Sequence, residues 1–365
     1  MKIGILTFHC AHNYGAVLQA YALQEYLLSL GHEVYIIDYR PDYLVKLYQV
    51  FSRERIPANS FFLRLLVGEC IRLPRYIKRY KSFNSFIGRY MRLASVDLGD
   101  AYSDFDAFVF GSDQIWNKNI CGGKYDPIYL GKFGASRDRK KIAYAASAGH
   151  ISMNTKDLSL LDVSLRDFDM IGVREVSLCK LLQSFFPLKV HTVLDPTLLV
   201  DRTVFDQIAR KPNVSQKYIV VYQVYLSDDT NRDIMRIAES LAGQIGGIVI
   251  DLSFQIAVSA KYRRDASPEE FLGYIKYADA IITNSFHGTA FSVIFQKPFY
   301  TVKMHTEIDL RAQSLLEEIA LTERFIERDA KPVFSGMDYS GHIEKMSNLR
   351  MDSRRFISEA LCNDK

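Results

Sequence analysis

The chain has 365 residues, 48% of them hydrophobic and 24% charged, an ordinary globular balance with enough apolar content for two cores. A formal charge of only +4 argues against a general nucleic-acid role. The five cysteines, Cys10, Cys70, Cys121, Cys179 and Cys362, are scattered, odd in number and form no C-x-x-C pair. That excludes a disulfide framework, a zinc site and an iron–sulfur cluster, and fits a reducing cytoplasm.

Residues 2–8 read as a first strand, and the segment turns polar too soon for a signal peptide. No apolar run of about 18 residues occurs anywhere, so no membrane span is expected. The loop His9-Cys10-Ala11-His12-Asn13-Tyr14-Gly15 leads into a helix over 16–28, ended by Gly31, and Glu33–Asp38 reads as the next strand. This is a βαβ unit with a glycine at its first turn. It is neither a G-x-G-x-x-G dinucleotide fingerprint nor a nucleotide P-loop. Asn13 and Gly15 suit close backbone approach to an anion; a plain strand–helix turn would use them equally well.

Residues 61–93 differ in character. Arg64, Arg72, Arg75, Lys78, Arg79, Lys81, Arg89 and Arg92 stand against one acid, Glu69, and are interleaved with aromatic and aliphatic residues. The segment reads as helical with a break at Pro74. Two roles are open to it: contact with an anionic membrane surface, or a packed apolar stripe with a solvated basic face.

Asp104–Phe110 is a strand that ends in the glycine turn Gly111-Ser112-Asp113-Gln114-Ile115-Trp116-Asn117, which carries a carboxylate and the only tryptophan. Lys141–Ser147 is another strand. Ile171–Glu175 leads into a helix reaching Leu182, and Val190–Leu194 is a strand closed by Asp195-Pro196-Thr197. Repeated strand–helix alternation implies a parallel sheet. The polar stretch 206–216 reads as a linker, after which strands at 217–222 and 247–252 flank a helix over 228–244. Ser267-Pro268-Glu269-Glu270 starts a further helix. Ala278–Ile282 is a strand, followed by the turn Thr283-Asn284-Ser285-Phe286-His287-Gly288-Thr289 and an apolar helical segment. Hydroxyls, an amide and helix N-terminal N–H groups make this turn an anion cradle, and His287 adds a side chain that trades a proton near neutral pH. A capped helix with a hydrogen-bonded structural histidine is the plainer alternative.

The expected architecture is α/β: a first domain over 1–210 with the basic helical insertion at 61–93, a second over 217–335, and a terminal helix over 341–361 bracing the first. Two facing α/β domains with a cleft between them suit a transferase with two substrates.

Four segments resemble, in order, motifs of the polysaccharide pyruvyl transferase family: His12–Leu23, Gly111–Asn117, Asp195–Leu199 and Ser285–Thr289. The resemblance covers roughly residues 2–330. It implies two Rossmann-like domains facing a cleft, an architecture like that of the two-domain (GT-B) glycosyltransferases. It also implies transfer of an enolpyruvyl-derived group from phosphoenolpyruvate to two hydroxyls of a sugar, giving a cyclic ketal and phosphate. The acceptor so implied is a glycan in a lipid-linked precursor of a bacterial surface polysaccharide, handled in the cytoplasm or at the inner membrane face.

By this resemblance His287 acts at the donor as acid or phosphate ligand, and Asp113 is the base or orients the acceptor. Arg174 and Arg311 hold the anionic donor together with Asn284, Ser285, Gly288 and Thr289. His12, Asn13, Tyr14, Gly15, Ser112, Gln114 and Trp116 form the acceptor side or an anion turn. Many members carry Arg where this chain has Ser285, so Arg311, Arg174 or Lys303 must substitute, or the donor differs. No cofactor, metal or nucleic-acid partner is called for. A nucleotide-sugar glycosyltransferase would want a ribose-binding carboxylate, and Asp251 is the one candidate near Ile250. A non-catalytic carbohydrate- or anion-binding protein would tolerate loss of His287.

Overall fold

A computed structural model describes residues 1–49, 62–95, 104–136, 138–149, 153–186, 189–224, 227–253, 264–306 and 309–362. By contacts the chain divides into two compact units, Met1–Ile171 and Gly172–Lys365.

The first unit opens with β1 (Lys2–Leu6), α1 (Tyr14–Ser29), β2 (Glu33–Ile37), α2 (Asp42–Tyr48), α3 (Phe62–Tyr90) and β3 (Leu93–Ala94). β4 (Ala107–Phe110), β5 (Lys140–Ala146), α4 (Thr155–Leu165) and β6 (Met170–Val173) follow, and the division falls inside β6. The strand order is β3-β2-β1-β4-β5-β6-β7, where β7 is Val190–Thr192. Continuous apolar runs such as Ala107–Phe110, buried at every position, are what a parallel strand covered on both faces requires. β1 pairs in parallel with β2 on one side (Ile3 opposite Val34) and with β4 on the other (Ile3 opposite Ala107). The order reverses between β1 and β4, the place where open α/β sheets present ligand sites at their carboxyl ends. The loops leaving these two strands are tied by the Thr7 hydroxyl, which donates to the Ser112 carbonyl at 2.9 Å.

The second unit holds α5 (Val176–Gln183), β7, α6 (Pro196–Leu199), α7 (Arg202–Asp206), β8 (Tyr218–Tyr222), α8 (Asp228–Ile245) and β9 (Ile248–Asp251). It continues with α9 (Pro268–Tyr277), β10 (Ala280–Thr283), α10 (Phe286–Ile294), β11 (Phe299–Val302), α11 (Asp309–Glu318), β12 (Phe325–Ile326) and α12 (Ser340–Cys362). Its parallel sheet runs β12-β11-β10-β8-β9, so its order reverses between β8 and β10. Ile219, Val221, Ile234, Ile237, Leu241, Val249 and Ile282 form a core between sheet and α8. α9 starts with the expected Pro268 and a capping box between Ser267 and Glu270.

Three expectations change. α3 runs through Pro74 instead of breaking there. An internal proline costs about 3 kcal/mol, and Phe83, Phe86 and Ile87, fully packed, supply the compensating burial. Second, the compact units divide at 171/172, not at the 206–216 linker. Residues 202–210 pack on the later elements: Phe205 lies edge-on to Phe291 at 5.1 Å, and Lys276 pairs with Asp206 at 2.7 Å. Third, α12 braces residues 194–199, which the sequence assigned to the first domain and which belong to the second unit. Ser353 Oγ accepts from the Leu194 N–H at 2.9 Å, Arg350 Nε donates to the Leu198 carbonyl at 2.9 Å, and Arg354 Nη2 to that of Leu199 at 3.0 Å. Among the described residues, no helix is long and apolar enough to cross a membrane.

Candidate active site

At the second sheet's reversal point, β10 ends in a turn whose polar groups are largely spent on the fold. The Thr283 hydroxyl donates to the Tyr222 carbonyl (2.6 Å) and accepts from the Ser285 N–H (3.0 Å), locking the strand end. A Cβ on Gly288 would sit 2.1 Å from that same Thr283 oxygen, so glycine is required there for packing. Thr289 Oγ1 donates to the Ser285 carbonyl and meets Thr301 Oγ1 at 2.7 Å. Asn284 Oδ1 accepts from the Val224 N–H at 3.1 Å. The side chains of Asn284 and Thr289 therefore work inside the fold. Ser285 caps α10 without any side-chain bond to the helix, so no side chain of its own closes the first turn. His287, 8% exposed, has its Nε2 without a hydrogen-bond partner among the described residues.

What faces that nitrogen comes from a different stretch. Asp195, fully buried, caps α6: its Oδ1 accepts from the Thr197 N–H (2.9 Å) and hydroxyl (2.7 Å). Its Oδ2 accepts from Arg174 Nη1 at 2.5 Å and lies 3.7 Å from His287 Nε2, an ion-pair distance rather than a hydrogen bond. Burial alone would raise the Asp195 carboxyl. His287, the Arg174 guanidinium and the Thr197 hydroxyl outweigh it and hold the group well below the usual carboxylate range. With both oxygens engaged and its charge fixed, Asp195 orients its neighbours and does not exchange protons. The Arg174 guanidinium also lies 5.0 Å from the Phe286 ring centre, and Arg311 lies 6.0 Å from the same ring. Lys303, the third candidate cation, pairs with Glu327 at 2.7 Å and lies over Phe325.

Arg174, Asp195, Phe286 and Arg311 line a pocket of about 130 Å³ together with Glu318 and Asp352. Three carboxylates against two guanidiniums make it a poor seat for a dianion, and His287 reaches it only through Asp195. The open start of α10 beside His287 is the better anion position.

In the first unit the expected acceptor-side residues lie on the loops leaving β1 and β4, and most are consumed locally. Asn13 is the N-cap of α1, its Oδ1 accepting from Gly15 N–H (2.9 Å) and Ala16 N–H (3.4 Å). His12 is buried among Tyr48, Tyr80 and Phe83, and its pKa is pushed down to about 4 by burial, with Arg79 and Arg40 adding. A ring neutral at pH 7 offers an anion no charge. Tyr14 is 5.2 Å from the Arg79 guanidinium and buried. Trp116 is core: it is 1% exposed, and its indole N–H donates to the Tyr129 carbonyl at 3.2 Å. Ser112 is fully buried, and Gln114 Oε1 accepts from Asn117 at 2.7 Å. Asp113 is half-buried at φ 73°, its carbonyl held by the Ser147 N–H and one carboxylate oxygen by the Gln114 N–H. Asp113 belongs to the first unit and His287 to the second.

Two groupings escape sequence reasoning. One is the pairing of Asp195 with His287 and Arg174. The other is His9–Asp38–Arg40 at the carboxyl ends of β1 and β2. There Asp38 Oδ1 meets His9 Nε2 at 2.9 Å and Arg40 Nε at 2.6 Å. The His9 hydrogen bond, with Arg40 adding, depresses the Asp38 carboxyl despite burial. An acid closing a strand was the available signal in both cases.

Residues 13–305, most of the chain, match the family model of polysaccharide pyruvyl transferase. The chain belongs to the polysaccharide pyruvyl transferase family. The match opens on the α1 cap at Asn13 and takes in Arg174, Asp195 and His287, so all three lie within the transferase region of the pyruvyl transferase. No curated protein matches the chain. Among solved structures it is similar to the S. aureus MnaA–UDP co-structure, at 11% identity and TM-score 0.48 over 97% of this chain and 89% of that one. It is also similar to a putative UDP-N-acetylglucosamine 2-epimerase from Listeria monocytogenes, at 7% and 0.48 over 100% and 91%. E. coli heptosyltransferase WaaC with ADP gives 13% and 0.43 over 99% and 100%. Likeness of this order has no bearing on site or substrate; the α/β class of the pyruvyl transferase rests on its own two parallel sheets.

Proposed function

We propose that this pyruvyl transferase takes phosphoenolpyruvate as donor and closes a cyclic ketal on two hydroxyls of one sugar in a lipid-linked surface-polysaccharide precursor. The observation that carries the reading is the buried Arg174–Asp195–His287 arrangement at the open first turn of α10. Phosphoenolpyruvate brings two anionic groups. The backbone N–H groups of the first α10 turn, at the positive end of the helix dipole, suit one of them. Arg311, beside Phe286, stands in for the arginine that many family members carry at the Ser285 position.

The chemistry needs a proton delivered to the methylene carbon, which leaves the adjacent carbon electron-poor. A sugar hydroxyl adds to that carbon with loss of its proton, the carbon–oxygen bond to phosphate breaks, and the second hydroxyl closes the ring, its proton leaving on the departing phosphate. His287 brings the one imidazole of the cluster, with its Nε2 unclaimed by a hydrogen bond among the described residues, and it is assigned the proton delivery. Asp113 is the candidate base for the acceptor hydroxyl. Asp251, the carboxylate a nucleotide-sugar enzyme would turn to a ribose, is 1% exposed and accepts from the Ser253 N–H at 2.8 Å. No observation favours that second reading.

Calorimetric titration of phosphoenolpyruvate into wild type and His287→Ala, with a nucleotide sugar beside it, tests the proposal. Saturable phosphoenolpyruvate binding that weakens in the variant is expected, and turnover with a glycan acceptor should drop about 10²–10⁴-fold, the range for a lost general acid. Binding of the nucleotide sugar alone, or unchanged turnover in His287→Ala, would overturn it.

A further inference from the structure

Between Leu73 and Arg92 the sequence holds six basic residues and no acid. The structure sorts the residues of this stretch into two faces. Phe83, Phe86 and Ile87 point inward and are buried: Phe83 stacks on His12 and packs tilted against Tyr14, and Phe86 packs edge-on to Tyr21 and tilted against Tyr90. Arg79 is also turned in, donating to the His12 carbonyl at 2.5 Å and lying over the Phe83 ring. Lys78, Lys81, Ser85 and Arg89 are exposed at three- and four-residue steps, an arc of about 80° on a helix of 3.6 residues per turn, and exposed Arg92 follows just past its end. Three other lysines of this unit are paired, Lys46 with Asp42, Lys118 with Asp157 and Lys132 with Asp167, whereas Lys78, Lys81, Arg89 and Arg92 form a contiguous group. Among the described residues, none of these four cations has an acidic partner.

We propose that this face of α3 docks the protein on an anionic phospholipid surface. Along the described stretch the apolar residues Phe83, Phe86 and Ile87 are already used inside the unit, so they are not available to sink among acyl chains as those of an interfacial amphipathic helix do. What remains is a one-signed row of long, flexible cations, which suits the negative potential of a headgroup layer. The contact is therefore electrostatic. It is screened by salt over a Debye length of about 8 Å at physiological ionic strength, and each cation strengthens it roughly fivefold. The inference does not depend on the donor chemistry proposed above.

The test is co-sedimentation of the full chain with vesicles of phosphatidylcholine alone or of phosphatidylcholine mixed with phosphatidylglycerol. Selective binding to the mixed vesicles, reversed by salt, is expected. Lys78→Ser with Lys81→Ser should weaken it about 25-fold, two cations at fivefold each. Lys345→Ser with Arg355→Ser, exposed positions on α12, removes the same charge elsewhere and should leave binding unchanged. Equal binding to both vesicle types would overturn the proposal, as would equal losses in the two variants. Retention by an acidic polysaccharide such as heparin without vesicle binding would assign the face to a glycan instead of a lipid.

Discussion

The turn that starts α1 and the turn that starts α10 each leave a parallel strand at a reversal point and enter a helix buried along nearly its whole length. They are finished differently. At α1 the Asn13 side chain takes two of the first N–H groups for itself. At α10 the cap residue Ser285 makes no such bond, and the charge that organises the turn comes from outside it, through Asp195 and Arg174. A helix start closed by its own cap is a structural joint. One left open beside a buried ion pair and a histidine keeps backbone donors that its own cap does not claim.

This contrast can be broken most severely at Asp195. Asp195→Asn removes the nearer of two buried carboxylates from the Arg174 guanidinium, Glu175 remaining 3.9 Å from its Nε, and should cost about 3 kcal/mol, the low end for a broken buried pair, measured by urea unfolding, together with loss of turnover. The acid response follows from the sign of the shift. A carboxyl depressed in the folded chain contributes stability that is fully present above its unfolded pKa of about 3.9 and lost as pH falls below it toward the folded value. Wild type should therefore lose stability with acid more steeply than Asp195→Asn; equal slopes would mean the pair does not form. The next effect is steric. Gly288→Ala drives a methyl into Thr283 and should cost about 1–3 kcal/mol, whereas an unchanged melting temperature would show that the α10 turn has room to relax. The smallest effects draw the sharpest line between the turns. Asn13→Ala should cost about 1 kcal/mol through the lost cap, and Ser285→Ala less than about 0.5 kcal/mol. Similar costs at both positions would erase the distinction.

Much of this was readable in the sequence. The apolar runs at 2–8, 33–38, 217–222 and 278–282 gave the strands to within a few residues, because a strand covered on both faces must be continuously apolar. Short helices with mixed surfaces, α2, α4 and α11, carried no strong period and were not read. His287 was identifiable as a polar, titratable residue at a strand–helix junction. Its counter-charge was not, because Asp195 lies 92 positions away and looks locally like an ordinary helix cap, which it also is. Trp116 misled for the opposite reason: a tryptophan in a polar turn suggests a binding surface, and only the fold reveals the Tyr129 carbonyl that satisfies its N–H in the core.

The bonds from α12 to the Asp195 loop also set an order in time. Ser353, which accepts from the Leu194 N–H, is 159 residues further along the chain. At the usual pace of synthesis, about 5–20 residues per second, roughly 8–30 s separate the emergence of the loop from that of the helix that holds it. During that interval Leu198 and Leu199, buried in the finished protein, lack the arginines that fix their carbonyls. A growing chain thus carries Arg174, Asp195 and even His287 before it carries the strut that holds the Asp195 loop.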